Sequence, residues 1–301
     1  MLGIATMLAS CSQSDDLLQS EQTNTSDDLK AVTITATLPE DGMITRSVTA
    51  DDDDEVGRCL LQILVYDENT DSYVPATGDL EGVKTMEPNG TNSYRADGIY
   101  LNENDDYKFL FWADGGSGYN TATDLRNVTL TDNNANPGIA WQSSVTWSER
   151  SKSAAISANL THAVAKVTMK TTSNLDARTP VSITIGTAYT AFDVEKGAVV
   201  STATVSNKLY DYTVASAITA TPQDPQEVFS FYALVSDATQ EVVLANGNNT
   251  DTNKSMPSVP LGPNKHTTLQ GDVRNLGLTD VTFTATIVTD WDKPGTDPTP
   301  F

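Results

Sequence analysis

Histidine and cysteine are nearly missing from this chain, with two of each in 301 residues. His162 and His266 belong to no HExxH pattern and to no Cys/His cluster with zinc spacing, so nothing supports zinc catalysis. There is no GxxxxGK[ST] loop, no GxGxxG after a strand and no GxSxG elbow. Gly115-Gly116-Ser117-Gly118 approaches the last of these but lacks its final glycine. Basic residues are also scarce: 18 Lys and Arg against 40 Asp and Glu leave a formal charge of −22, which repels a phosphate backbone or an anionic bilayer. Carboxylates are abundant, but a glycosidase pair is defined by separation in space and nothing in the chain singles one out. Asp67-Glu68-Asn69-Thr70-Asp71 begins like a calcium loop, yet Ser72 stands where glycine is required and Gly78 where the bidentate glutamate belongs, so it reads as a hairpin turn. No cofactor, no metal, no nucleic acid and no enzymatic activity are expected.

Helical periodicity over any length is missing too. The apolar residues, 38% of the chain, come instead in short alternating runs separated by Thr, Ser, Asn and Asp, the signature of half-buried strands. Val32, Ile34, Ala36 and Leu38 alternate with threonines in a one-faced strand ended by Pro39. LLQILVY at 60–66 and YKFLFWA at 107–113 read as interior strands, and LTHAVAKVTM at 160–169 as one long strand closing a first unit. The pattern restarts at 181–185 and continues through 210–214, 228–235 and 241–244. Val281, Phe283, Ala285 and Ile287 again alternate with threonines, mirroring the one-sided first strand. His162 reads as a satisfied, partly buried side chain and His266 as a solvated one. Trp112, Trp141, Trp147 and Trp291 read as core; only a cluster of exposed rings would make a sugar platform. The expected class is all-β, two β-sandwiches in tandem over 31–170 and 171–292, with a Pro-rich flexible tail at 293–301.

The N-terminus carries an address. Residues 1–10, an apolar stretch too short to span a bilayer, read as a signal peptide, and Leu8-Ala9-Ser10-Cys11 resembles the bacterial lipobox, which makes Cys11 the lipidated residue at the head of a polar linker, 11–30. The basic segment expected before the apolar stretch is missing. Ser12-Gln13-Ser14-Asp15-Asp16 is similar to the acidic signal for outward display in Bacteroidetes lipoproteins. Cys59, in an apolar run, reads as a buried small hydrophobe with no disulfide partner.

The lipobox, AVTITATLP followed by ITRSVTADDDDE and LLQILVY, the YKFLFWAD strand, and the LTHAVAKVTM and GPNKHTTLQGD segments occur here in an order that resembles the fimbrillin family of Bacteroidales, the subunits of type V pili. The resemblance covers nearly the whole chain. It implies two transthyretin-like sandwiches exported as an outer-membrane lipoprotein precursor, cleavage by an arginine-specific protease between Arg46 and Ser47, and loss of the first strand. A strand from another fimbrial subunit then fills the vacancy. Arg58 and Arg126 are the alternative cleavage points. The segment from Val281 to Trp291 is either the donor strand or a fixed strand of the second sandwich. The implied function is that of a cell-surface fimbrial subunit supporting adhesion to a host or bacterial receptor. The competing reading is a surface glycan-binding lipoprotein of a polysaccharide-utilisation system.

Overall fold

In the computed structural model the described residues are 29–39, 56–133, 136–148, 152–247, 253–278, 280–289, 291 and 299–300. Twelve strands precede residue 163: β1 (Leu29–Thr37), β2 (Arg58–Asp67), β3 (Ser72–Pro75), β4 (Val83–Thr85), β5 (Glu87–Pro88), β6 (Ser93–Asn102), β7 (Tyr107–Asp114), β8 (Tyr119–Asn120), β9 (Val128–Leu130), β10 (Ala140–Trp147), β11 (Ala155–Asn159) and β12 (Thr161–His162). Eleven follow: β13 (Ala165–Thr171), β14 (Pro180–Tyr189), β15 (Ala191–Asp193), β16 (Ala198–Val199), β17 (Thr204–Thr213), β18 (Gln226–Ala233), β19 (Ala238–Asn246), β20 (Lys254–Leu261), β21 (His266–Gly271), β22 (Phe283–Val288) and β23 (Thr299–Pro300).

The first sandwich packs a sheet ordered β11-β1-β6-β5 against one ordered β12-β10-β7-β2-β3, with β4 also on β2. The second packs β18-β13-β21-β22-β23 against β17-β14-β19-β20. The chain is thus all-β, in two sandwiches. The expected single strand at 160–169 is corrected: it breaks at Ala163 and Val164, between β12 and β13. Beyond the break β13 is an inner strand of the second sandwich, between β18 and β21. Apolar content is continuous across the break, so pattern alone could not reveal the change of sheet.

A small sheet ordered β16-β15-β9-β8 ties the halves together. The β15–β16 arm leaves the second sandwich and inserts Phe192 and Val194 into the first core. Phe192 and Tyr119 lie against Trp112 at ring-centroid distances of 5.7 and 5.1 Å. Covered on both faces, β7 is buried at every residue except Lys108, which explains its unbroken apolar run. Lys108 pairs with Glu195 of the arm at 2.9 Å. At the end of β7, Asp114 is fully buried but compensated by Arg58 at 2.9 Å, Trp112 Nε1 at 2.6 Å and the Gly116 amide at 2.6 Å. The neighbouring backbone is so close that a Cβ on Gly57 would meet the Gly115 carbonyl oxygen at 2.5 Å.

Cys59 is buried in this core, and burial pushes its thiol up to about 12. The turn after β2 is the expected hairpin: Asp67 accepts hydrogen bonds from the Asn69 amide and the Thr70 hydroxyl, at 2.9 and 3.0 Å, and β3 returns along β2. Within the expected tail, Thr299–Pro300 pairs its backbone with β22 at Thr286 and Ile287.

Candidate strand-replacement site

The alternation of Val32, Ile34 and Ala36 with threonines builds β1, and all three face the core at no more than 4% exposure; Leu38, just beyond, is 6% exposed. β1 is not an edge strand. It lies between β6, antiparallel, and β11, parallel. Reading across the sheet, Ile34 is flanked by Ile156 and Ala96, and Ala36 by Ala158 and Tyr94. Val32 faces Ile99 beyond a bulge in β6, where Gly98 takes a φ of +70° that side chains resist. The ends are tied by backbone bonds of 2.8 Å from the Thr33 amide to Ala154, from Leu38 to Asn92 and from Leu160 to Thr37. Near its start, Lys30 pairs with Glu103 at 2.9 Å. Without β1 the sheet would hold an apolar slot one strand wide, walled by β6 and β11. Among the described residues, β1 is the only ladder partner of β11.

Of the second expected strip, Phe283, Ala285 and Ile287 lie in β22 and Val281 just before it. β22 pairs with β21 along its whole length, with Ala285 and Ile287 buried and the Phe283 ring lying over Gly271, where a Cβ would meet it at 2.7 Å. On its other side, among the described residues, only β23 pairs with it. One correspondence goes beyond shared alternation: Val281-Thr282-Phe283-Thr284-Ala285-Thr286-Ile287 repeats Val32-Thr33-Ile34-Thr35-Ala36-Thr37-Leu38, identical at five of seven positions and apolar at the other two. Direct comparison of the two segments would have exposed it in the sequence. The slot walls, which come from β6 and β11, carried no such signal.

Cys11, Arg46 and Ser47 lie outside the described residues. The two alternative arginines are described and engaged. Arg58 is within the β2 ladder and clamps Asp114, donating also to the Tyr119 carbonyl at 2.8 Å. Arg126 holds Asp124 through Nη2 at 2.7 Å and Nε at 3.0 Å. Burial alone would raise the Asp124 pKa, but its bonds to Arg126 outweigh that and leave it lowered.

His162 is buried, 1% exposed, and stacks on Trp291 with centroids 3.7 Å apart and planes 10° from parallel. His266 is not solvated, as its neighbours in sequence suggested. It opens β21, bonds Thr168 Oγ1 at 2.9 Å, and is driven down to about 4 by burial and by the positive charges of Lys166 and Lys170 and the His162 ring. Trp112, Trp141 and Trp147 are buried, and Trp291 is half-buried against His162, so the four tryptophans offer no exposed sugar platform. Among the described residues no cluster of three or more His, Cys, Asp or Glu is arranged to hold a metal ion.

Residues 24–299 match the model of a family of unknown function, DUF6562. No curated protein matches the chain. Among solved structures, a candidate cell adhesion protein from Bacteroides ovatus is similar at 16% identity, with 87% of this chain and 98% of that one covered and a TM-score of 0.50. A fimbrial assembly protein from Parabacteroides distasonis aligns at 13% identity over 91% and 100% of the two chains, with a TM-score of 0.45. The tip fimbrial protein Mfa3 from Porphyromonas gingivalis, truncated at its C-terminus, aligns at 14% identity over 87% and 100%, with a TM-score of 0.47. At such identities the Bacteroides ovatus likeness is one of fold.

Proposed function

The chain belongs to DUF6562, a family of unknown function, and from that premise we propose that it is a structural subunit of a cell-surface fimbria, assembled by strand replacement at the β1 slot. The reading starts from a lipoprotein precursor anchored at Cys11 in the outer membrane. An arginine-specific protease cuts between Arg46 and Ser47, β1 leaves, and a strand from another fimbrial subunit takes its place. The observation that carries the reading is the pairing of an interior first strand with a near copy of it at 281–287. Burying Val32, Ile34 and Leu38 is worth about 1.5–3 kcal/mol each, so an empty slot favours a replacement by several kcal/mol before ladder hydrogen bonds are counted. A donor with Val, Phe, Ala and Ile in register puts alanine again between Ala158 and Tyr94, and apolar side chains at the other three rows. β22 has one full-length neighbour in its own sheet and would gain two in the slot.

Arg58 and Arg126 are disfavoured as cleavage points because a protease needs extended, unpaired backbone and both are held by folded structure. The fold shared with the Bacteroides ovatus protein suits a role in adhesion at the surface. Buried tryptophans weigh against the glycan-binding alternative.

The test is limited digestion of the lipid-free chain with an arginine-specific protease, followed by size-exclusion chromatography and electron microscopy. Cutting after Arg46, loss of β1 and growth into filaments are expected. A chain that is cut there, sheds β1 and stays monomeric would overturn the proposal.

A further inference from the structure

Three residues beyond β22, Trp291 does not pack on its own sandwich alone. Its half-buried ring packs against the core of the first sandwich, where it stacks on His162, itself 5.2 Å from the Trp141 ring. From the second sandwich, Tyr232 lies 6.0 Å from Trp291, nearly parallel, and His266 lies 5.9 Å away. Lys166 Nζ sits 5.5 Å from the centre of the Tyr232 ring and 5.7 Å from that of Trp291, both within cation–π range. The Trp291 amide donates to the Asn264 carbonyl at 3.1 Å, and the Asn264 amide to Val164 at the crossing between sandwiches. The strand that could serve as donor is therefore pinned at its C-terminal end across the junction.

β1 reaches the same place by a short route. Among the described residues β11 has β1 as its sole ladder partner, and the residue after β11, Leu160, gives its amide to Thr37 of β1 at 2.8 Å. Thr161 and His162 come next. With β1 gone, residues 155–160 lose their ladder with β1, and the segment that leads from β1 to the His162 platform is loosened at its start, while β12 keeps its two-residue pairing with β10.

We propose that the Trp291–His162 stack is a latch that keeps β22 in its own sheet, and that departure of β1 releases it through β11 and His162. The proposal rests on the strand-replacement reading and adds its regulation: an uncut subunit has both a filled slot and a withheld donor, and one cleavage changes both. Premature joining of uncut chains is blocked at both ends.

Hydrogen–deuterium exchange of the full chain tests this, using the wild type, Trp291→Ala and Trp291→Phe, each before and after arginine-specific digestion. In the uncut chains Trp291→Ala should speed exchange of residues 283–288 by about tenfold or more through local opening. The β13 amides bonded to β18 should stay protected, and Trp291→Phe, which keeps a ring on His162, should remain close to wild type. Loss of β1 from the wild type should speed the same β22 amides in the cut monomer, isolated before any β22 enters a slot. If Trp291→Ala loses protection throughout, Trp291→Phe and the cut wild type still decide. Equal protection of β22 in the cut monomer and the uncut wild type overturns the latch, as does equal protection in uncut wild type and a folded Trp291→Ala. Freed β22 in cut monomers that never form filaments would uphold the latch and sink the filament reading, whereas filament growth from cut monomers whose β22 exchanges as slowly as in the uncut chain would do the reverse.

Discussion

The second sandwich draws its whole buried core from between Ala165 and Ala285, whereas the first reaches beyond Ala165 for Phe192, Val194, Tyr232 and Leu234. The first half also has an interior strand at the start of its described chain and an edge strand, β11, that depends on it. Tandem sandwiches of similar strands can thus differ in self-sufficiency: one closes its own core, the other is completed by an arm from its neighbour. Dependence of this kind would leave the first sandwich supported on one side during the proposed exchange of its first strand.

The most severe way to break the comparison is to separate the halves after Val164. Residues 165–301 should unfold cooperatively on heating, and residues 29–164 should lack a cooperative transition and near-ultraviolet dichroism, because four large buried side chains are missing from their core. A folded first half would remove the asymmetry. A milder test is Phe192→Ala, expected to cost about 3–5 kcal/mol in urea unfolding. The loss should register in the first sandwich, through the Trp112 environment, although the substituted residue lies on an arm of the second.

Acid should reverse the order of strength. His266 has its pKa driven from 6.5 to about 4 by burial and by neighbouring positive charge, so the unfolded chain takes up a proton at a pH where the folded one refuses it. Its contribution is complete above about pH 6.5 and falls as pH drops toward 4, by up to about 3 kcal/mol. Denaturant melts at pH 7 and pH 5 should show the second sandwich weakening first, and His266→Gln should flatten that slope. A slope unchanged by the substitution would place the sensitivity elsewhere.

Much of the architecture was readable because threonine and β-branched residues alternate so regularly: β1, β2, β7, β14, β18 and β22 all coincide with runs visible in the chain. What escaped was decided by partners distant in sequence. Ala191-Phe192-Asp193 is three residues long, and nothing local says that its ring belongs in another sandwich's core. The switch of sheet at Ala163 is hidden for the same reason, since both sides of it are equally apolar. His266 looked solvated beside Lys265 because a sequence cannot show that Trp291 and β13 close over it. The slot was half legible: the strip that fills it is written in four residues, but its walls are set by long-range pairing of β1 with strands some 60 and 120 positions away.

The neighbours of β1 run in opposite senses, β11 with it and β6 against it. Parallel and antiparallel ladders space their hydrogen bonds differently, so a strand threaded backwards would face the wrong ladder on both sides at once. A site of that kind distinguishes head from tail. Any polymer propagated through it is a polar one, without a twofold axis relating successive units, and its two ends present different chemistry to the cell and to the world outside.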